Sequence, residues 1–111
     1  LELFPKSFRT HFNMAKLDGK MGHPKEMIEH LKKSIELNPK FVVGYLYLAN
    51  AYLEQGNLQQ AMELAKKGIE LGPEPSLAPF GHYILADVYK RLGRSRDAAR
   101  EMAVAQRLQS S

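Results

Sequence analysis

Apolar residues recur at helical spacing along almost the whole chain. In its middle, Tyr45, Leu48, Ala49 and Tyr52 stand at i, i+3, i+4 and i+7, which places them on one face of a helix. Gly56-Asn57 interrupts this pattern. Glycine suits the left-handed position that closes a helix, and Asn57 is a candidate cap for the next one. Leu58, Ala61, Met62, Ala65 and Ile69 then form a second amphipathic run, ended by Gly72-Pro73. Tyr83, Ala86 and Tyr89 before Gly93 repeat the first half of this unit. Ala98, Met102 and Ala105, after the candidate cap Ser95, repeat the second. An earlier, looser version consists of Phe8 to Lys20, a turn at Gly22-His23 and a run opened by Pro24, a residue that fits the first helical turn. The spacing predicts six helices, near residues 8–20, 24–37, 41–54, 58–71, 79–92 and 95–108, and no strand.

The pattern has a fixed period. Leu1-Glu2-Leu3-Phe4-Pro5, Ile35-Glu36-Leu37-Asn38-Pro39 and Ile69-Glu70-Leu71-Gly72-Pro73 each read aliphatic, Glu, Leu, any residue, Pro. The prolines are 34 apart both times (39 − 5 and 73 − 39), as are Gly22 and Gly56, while Gly93 follows after 37. The extra length falls at Glu74 to Ala78, beside Pro73, Pro75 and Pro79, where a longer loop costs little. A chain with this period divides into a tail at 1–7, units at 8–41 and 42–75, a loop at 76–78 and a last unit at 79–111.

These residues resemble the tetratricopeptide repeat (TPR) family. In the second unit, Tyr45, Leu48-Ala49, Tyr52, Gly56, Ala61, Gly68 and Pro73 fall where that family places its large opener, Leu-Gly/Ala pair, Tyr, turn Gly, small residues and closing Pro. His82, Leu85-Ala86, Tyr89, Gly93, Ala98 and Ala105 match in the third, which has no closing Pro. The first is degenerate: His11, Met14-Ala15, Gly22, Ser34 and Pro39 fit, but Asp18 replaces the Tyr and Met27 a small residue. The resemblance implies an all-α fold, a right-handed superhelix of antiparallel helix pairs. One unit cannot bury its own apolar face, so neighbours must stack. Ala49, Ala61, Gly68, Ala86, Ala98 and Ala105 are expected at helix crossings, where small residues allow close approach.

The ends of the array are unequal. Ile35 and Ile69 sit where the second helix of a unit should meet the following unit, and Gln106 takes that place in the third. With Arg107, Gln109, Ser110 and Ser111 nearby, the C-terminal end reads as solvent-facing. Leu1, Leu3 and Phe4 read as the last turn of a truncated preceding repeat in a longer chain. The Phe8 helix would then be partly uncovered and attract a second copy.

Composition narrows the chemistry. Hydrophobic residues at 44% argue against disorder, and the absence of Cys excludes disulfides, thiolate metal sites and Cys nucleophiles. Lack of Cys is compatible with cytoplasm and periplasm alike. No apolar run approaches the roughly 20 residues of a membrane span. There is no glycine-rich phosphate loop, nucleophile elbow or paired acidic motif, so no enzyme activity, cofactor or metal is expected. His11 and His82 occupy a position usually filled by a large buried side chain; His23 and His30 have Glu26 as the one evident neighbour for a metal. Met14, Met21, Met27, Met62 and Met102 read as core or near-core filler. The cluster Lys90, Arg91, Arg94, Arg96 and Arg100 contributes to the net charge of +4, but Asp87, Asp97 and Glu101 interleave it and no stacking aromatics line it, so nucleic acid is not the expected partner.

In the family resembled, the first helix of each repeat lines a concave surface that binds peptides or partner proteins. Helical spacing gives candidate groove positions: Arg9, Phe12, Lys16 and Lys20; Val43, Leu46, Asn50, Leu53 and Glu54; Phe80, Tyr83, Asp87, Lys90 and Arg91. Apolar anchors among basic residues suit a partner with hydrophobic and some acidic side chains. Phe12, Leu46, Leu53 and Phe80 have a second reading as cover for helix seams. TPR domains that clamp the acidic C-termini of chaperones use Lys and Asn, then Asn, then Lys and Arg. The aligned residues here are Phe12 and Lys16, Tyr47, and Phe80 and Ile84, so that clamp is absent. The expected function is a non-catalytic protein-interaction scaffold. The alternatives are a regulatory or substrate-docking segment of a larger enzyme and a self-assembling repeat unit.

Overall fold

The computed structural model describes residues 7–72 and 77–110. Six helices follow one another: α1 (Phe8–Lys20), α2 (Pro24–Leu37), α3 (Val42–Glu54), α4 (Leu58–Glu70), α5 (Ala78–Arg91) and α6 (Ser95–Ser110). The first two match the spacing-based limits, and the other four differ from them by one or two residues at one or both ends. The tail Leu1 to Pro5 and the prolines Pro73 and Pro75 lie outside the described residues.

Local chemistry sets the helix ends. Ser7 caps α1, its Oγ accepting from the Thr10 N–H at 3.2 Å, and Pro24 opens α2. Gly22, Gly56 and Gly93 have φ of +76°, +81° and +78°, the left-handed conformation that lets each pair reverse direction. Two expected caps are corrected. Asn57 precedes α4 but makes no side-chain cap bond; its backbone N–H donates to the Tyr52 carbonyl at 2.9 Å. Ser95 is itself the first residue of α6, and Arg94 and Asp97 join across that turn at 2.7 Å.

Each helix packs on the next in sequence, and α3 also meets α5, giving an array of 52 × 28 × 21 Å. Ala49, Ala61, Ala65, Leu31, Leu48, Val88 and Ala105 are almost wholly buried. A Cβ added at Gly68 would stand 2.9 Å from Leu46 Cδ2, so the bare glycine admits the Leu46 side chain. Consecutive pairs are joined by Ile35 and Ile69, at the place expected for them, on glycine partners that spacing did not single out. Ile35 lies over Gly44 and Ile69 over Gly81, where an added Cβ would be 2.8 Å and 2.5 Å from the isoleucine. The place of Gly44 and Gly81 is taken in α1 by Thr10, and the place of Ile35 and Ile69 in α6 by the exposed Gln106.

The first pair departs from the others in two places. Met27 occupies the position of Ala61 and Ala98, and Gly19 in α1 makes room for it, with Met27 Sδ 3.0 Å from a Cβ built there. Large and small have changed sides, since Leu53 faces the corresponding site in the second pair. Asp18, in place of Tyr52 and Tyr89, contacts His30 Nδ1 at 2.6 Å. At the α1 end of the array Leu17 and Met21 are 57% and 60% exposed, so Met21 is not core filler. At the α6 end Met102 and Leu108 are also exposed, so that face is less uniformly polar than its sequence suggests.

Candidate functional site

The first helices of the three pairs, α1, α3 and α5, share one side of the array. Between α3 and α5 lies a cleft of ≈ 550 Å³. Val43, Leu46, Tyr47, Asn50 and Leu53 line it from α3; Phe80, Tyr83, Ile84 and Asp87 line it from α5, with Leu77 at its edge. The lining positions on α3 follow i, i+3, i+4, i+7 and i+10, one helical stripe.

These residues do two different jobs. Leu46 and Leu53 are 6% and 4% exposed, so they form the floor and hold the helices together. Tyr47 and Phe80 are 42% and 56% exposed despite their size. About half of each residue's surface is left open to solvent at the cleft. Tyr47 and Ile84 were not among the groove positions from spacing, although both stand at aligned clamp positions. Leu77 belongs to the loop before α5, which helical spacing does not reach.

None of the α1 candidates lines this cleft, and Phe12 touches its rim. Phe12 meets Tyr47 edge-on, centroids 4.9 Å apart, and Phe41 at 5.1 Å; Phe41 also meets Phe8 at 4.8 Å. Lys16 Nζ lies 5.2 Å from the Phe12 ring centroid and the Arg9 guanidinium 5.3 Å from that of Phe8. Among the described residues, no carboxylate lies within ion-pair distance of Arg9, Lys16 or Lys20.

At the other end of the shared side Asp87 is paired internally. Arg91 donates from Nε to Asp87 at 3.1 Å and from an Nη to the Leu53 carbonyl at 3.0 Å, tying α5 to the end of α3. The Asn50 amide donates to Glu54 at 3.4 Å. Tyr83 donates its hydroxyl to Gln109 at 2.6 Å, linking the cleft to the last turn of α6. Lys90 is exposed near the end of α5 and does not line the cleft.

Elsewhere several charged groups are engaged. Arg94 and Arg100 both pair with Asp97, and Arg94 also stacks on Tyr89. His82 Nδ1 contacts Glu101 at 2.7 Å. Among the described residues, no group of three or more His, Cys, Asp or Glu side chains is placed to hold a metal ion. No described helix is long and apolar enough to cross a membrane.

Tetratricopeptide-repeat profiles match residues 8–41, 30–63 and 79–103, covering most of the chain. The chain belongs to the tetratricopeptide repeat family. TPR units are in general non-catalytic interaction modules, and the matches support a protein-interaction role for this chain in that general sense. The chain is similar to small glutamine-rich tetratricopeptide repeat-containing protein 2 of Mycosarcoma maydis, 32% identical over 73 residues. It is also similar to a UDP-N-acetylglucosamine--peptide N-acetylglucosaminyltransferase of Giardia intestinalis, 32% identical over 82 residues. These matches take in 66% and 74% of this chain, but 21% and 6% of the two relatives. Among solved structures, MamA superposes with a TM-score of 0.85 at 18% identity, over 94% of this chain and 59% of that one. At that identity the likeness concerns the TPR fold alone.

Proposed function

We propose that this TPR chain is a non-catalytic adaptor that binds a peptide or partner protein along the concave side formed by α1, α3 and α5. The observation that carries the reading is the exposure of Tyr47 and Phe80 on one cleft between α3 and α5. A large aromatic held open at a pocket gains several times more by burial against a partner than a scattered surface side chain does. The cations of α1 and the apolar cleft together suit a partner with acidic and hydrophobic side chains. Binding is an equilibrium on a preformed surface, with no bond made or broken.

The test is capture of partners from source lysate by the wild type beside Tyr47→Ser/Phe80→Ser, each checked for helicity by circular dichroism. A protein retained by the wild type and lost by the double variant is expected. Equal retention by both sinks the reading. Leu46 is unsuitable for such a probe, because it is buried and supports Gly68 and Gly81.

A second reading is a docking segment within a larger enzyme. The observation favouring it is the similarity to the glycosyltransferase relative, of which the matched part is a small fraction. Activity of the full-length protein on peptide substrates, compared with and without the Tyr47→Ser/Phe80→Ser change, separates the two.

A further inference from the structure

We infer that Arg91 is the positioning residue of the α3–α5 cleft: its guanidinium holds the end of α5 to the end of α3 and so sets how far the two helices stand apart. The inference rests on the groove reading above for what the opening serves, and adds the residue that fixes its width.

Arg91 does not line the cleft, but both of its partners do. Asp87, one turn earlier on α5, accepts from Nε at 3.1 Å. Leu53, next to last in α3, accepts through its carbonyl from an Nη at 3.0 Å. A guanidinium offers several donors fixed in one plane, so the bond to Asp87 orients the group that reaches Leu53. The last carbonyls of a helix carry the negative end of its dipole, and a cation is favoured there. Leu53 is nearly fully buried, so the contact is anchored in the scaffold.

Two points then fix α5 against the rest of the array. Near its start, Gly81 is packed by Ile69 and approached by Leu46 of α3. At its end stands Arg91. A helix held at one point can tilt about it, and a second point removes that freedom. A helix rises about 1.5 Å per residue, so Arg91 lies about 15 Å beyond Gly81, and a tilt of about 10° moves that end by about 3 Å. Such a shift approaches one carbon–carbon contact distance, about 3.5–4.0 Å, and changes which side chain can touch both walls. The device is particular to this junction. On α3 the place of Arg91 is held by Glu54 and that of Asp87 by Asn50. Glu54 accepts from Asn50 at 3.4 Å and, as a carboxylate, has no proton to offer a carbonyl of α1.

The chain has no Cys, so spin labels can be placed in chosen pairs. Gln55→Cys/Lys90→Cys, at two exposed positions, reads the separation of the α3 and α5 ends by dipolar electron paramagnetic resonance. Lys20→Cys/Gln55→Cys reads α1 against α3. Adding Arg91→Ala is expected to broaden the first distance distribution and shift it by about 3 Å, the tilt given above, and to leave the second unchanged. Arg91→Lys keeps the charge but loses the two-armed bond, so it should fall between. Asp87→Ala should reproduce part of the shift with Arg91 intact. An exposed ion pair adds little to stability, so helicity and thermal midpoint should stay close to those of the labelled parent. Should Arg91→Ala lose helicity, Arg91→Lys and Asp87→Ala decide the matter. An α3–α5 distribution indifferent to these changes overturns the inference, whatever partner capture shows for Tyr47→Ser/Phe80→Ser. Equal broadening of both label pairs also overturns it, since Arg91 would then support the array at large. Equal capture by the wild type and Tyr47→Ser/Phe80→Ser overturns the groove reading, and with it the use of the opening, while the distances still test the hold of Arg91.

Discussion

Ile69 packs so closely on Gly81 that a Cβ at position 81 would stand 2.5 Å from Ile69 Cγ1. The same relationship joins Ile35 to Gly44, so each junction between helix pairs is an isoleucine laid against a bare stretch of backbone. Gly81→Ala removes the helix-propensity penalty of glycine, about 1 kcal/mol, but forces a branched side chain or the backbone to move. The net change is expected to be a loss of about 1–2 kcal/mol in urea denaturation. Ile69→Ala is destabilising alone, yet in the Gly81→Ala background it should cost less, because the collision disappears. A double-mutant cycle measures this coupling; strict additivity would show that the two residues do not share the junction.

Gly19→Ala should behave in the opposite way. Its nearest neighbour is Met27 Sδ, at 3.0 Å from the added Cβ, and Met27 is half-buried with three rotatable bonds. A few tenths of an ångström of methionine movement is cheaper than the propensity gain. Stabilisation of about 0.5–1 kcal/mol is expected by thermal or urea unfolding. A loss comparable to that of Gly81→Ala would mean that Met27 is locked.

The contrast between these glycines shows what the sequence could and could not say. The helices were legible because Tyr45, Leu48, Ala49 and Tyr52, and the in-phase glycines at 22, 56 and 93, impose period and breaks on the chain itself. Gly44 and Gly81 were not singled out, because a glycine inside a helix carries no local signal of what crosses it. The exchange of Gly19 with Met27 was half visible: Met27 stood out as too large, but its compensation lay on another helix. The cleft was legible as a stripe on each helix. Which members stand open was not, because Tyr47 and Leu46 are adjacent in sequence, and Leu46 is buried where it meets Gly68 of α4 and Gly81 of α5. The contact of Asp18 with His30 was likewise hidden, since it joins two positions that depart from the repeat for no reason evident in either alone.

Exposure within the cleft separates candidate binding residues from supporting ones by stability alone. Leu53→Ala removes a side chain that is nearly fully buried and should cost about 2–4 kcal/mol. Phe80→Ala, at a residue more than half exposed, should cost under about 1 kcal/mol. Urea midpoints at constant m-value measure both. A large loss for Phe80→Ala would place that ring in the scaffold and remove it as a ligand anchor.

The pair Asp18–His30 lies partly buried between α1 and α2, where the second pair of helices carries Tyr52 and Leu64. Removing one partner leaves the other poorly solvated and without its 2.6 Å contact. Asp18→Ala is therefore expected to cost about 1 kcal/mol or more. Replacing both, as Asp18→Tyr/His30→Leu, installs the combination that already packs in the neighbouring unit. Apolar replacement of a part-buried polar pair is commonly neutral or stabilising, so the double variant should match or exceed the wild type. The local geometry is not identical, because Met27 stands where Ala61 does in the second pair, and Gly19 where Leu53 does. Combining the change with Gly19→Leu/Met27→Ala matches the first unit to the second at these four positions. If the fourfold variant unfolds at lower urea than Asp18→Ala, the differences in the first unit answer to a constraint other than packing between α1 and α2.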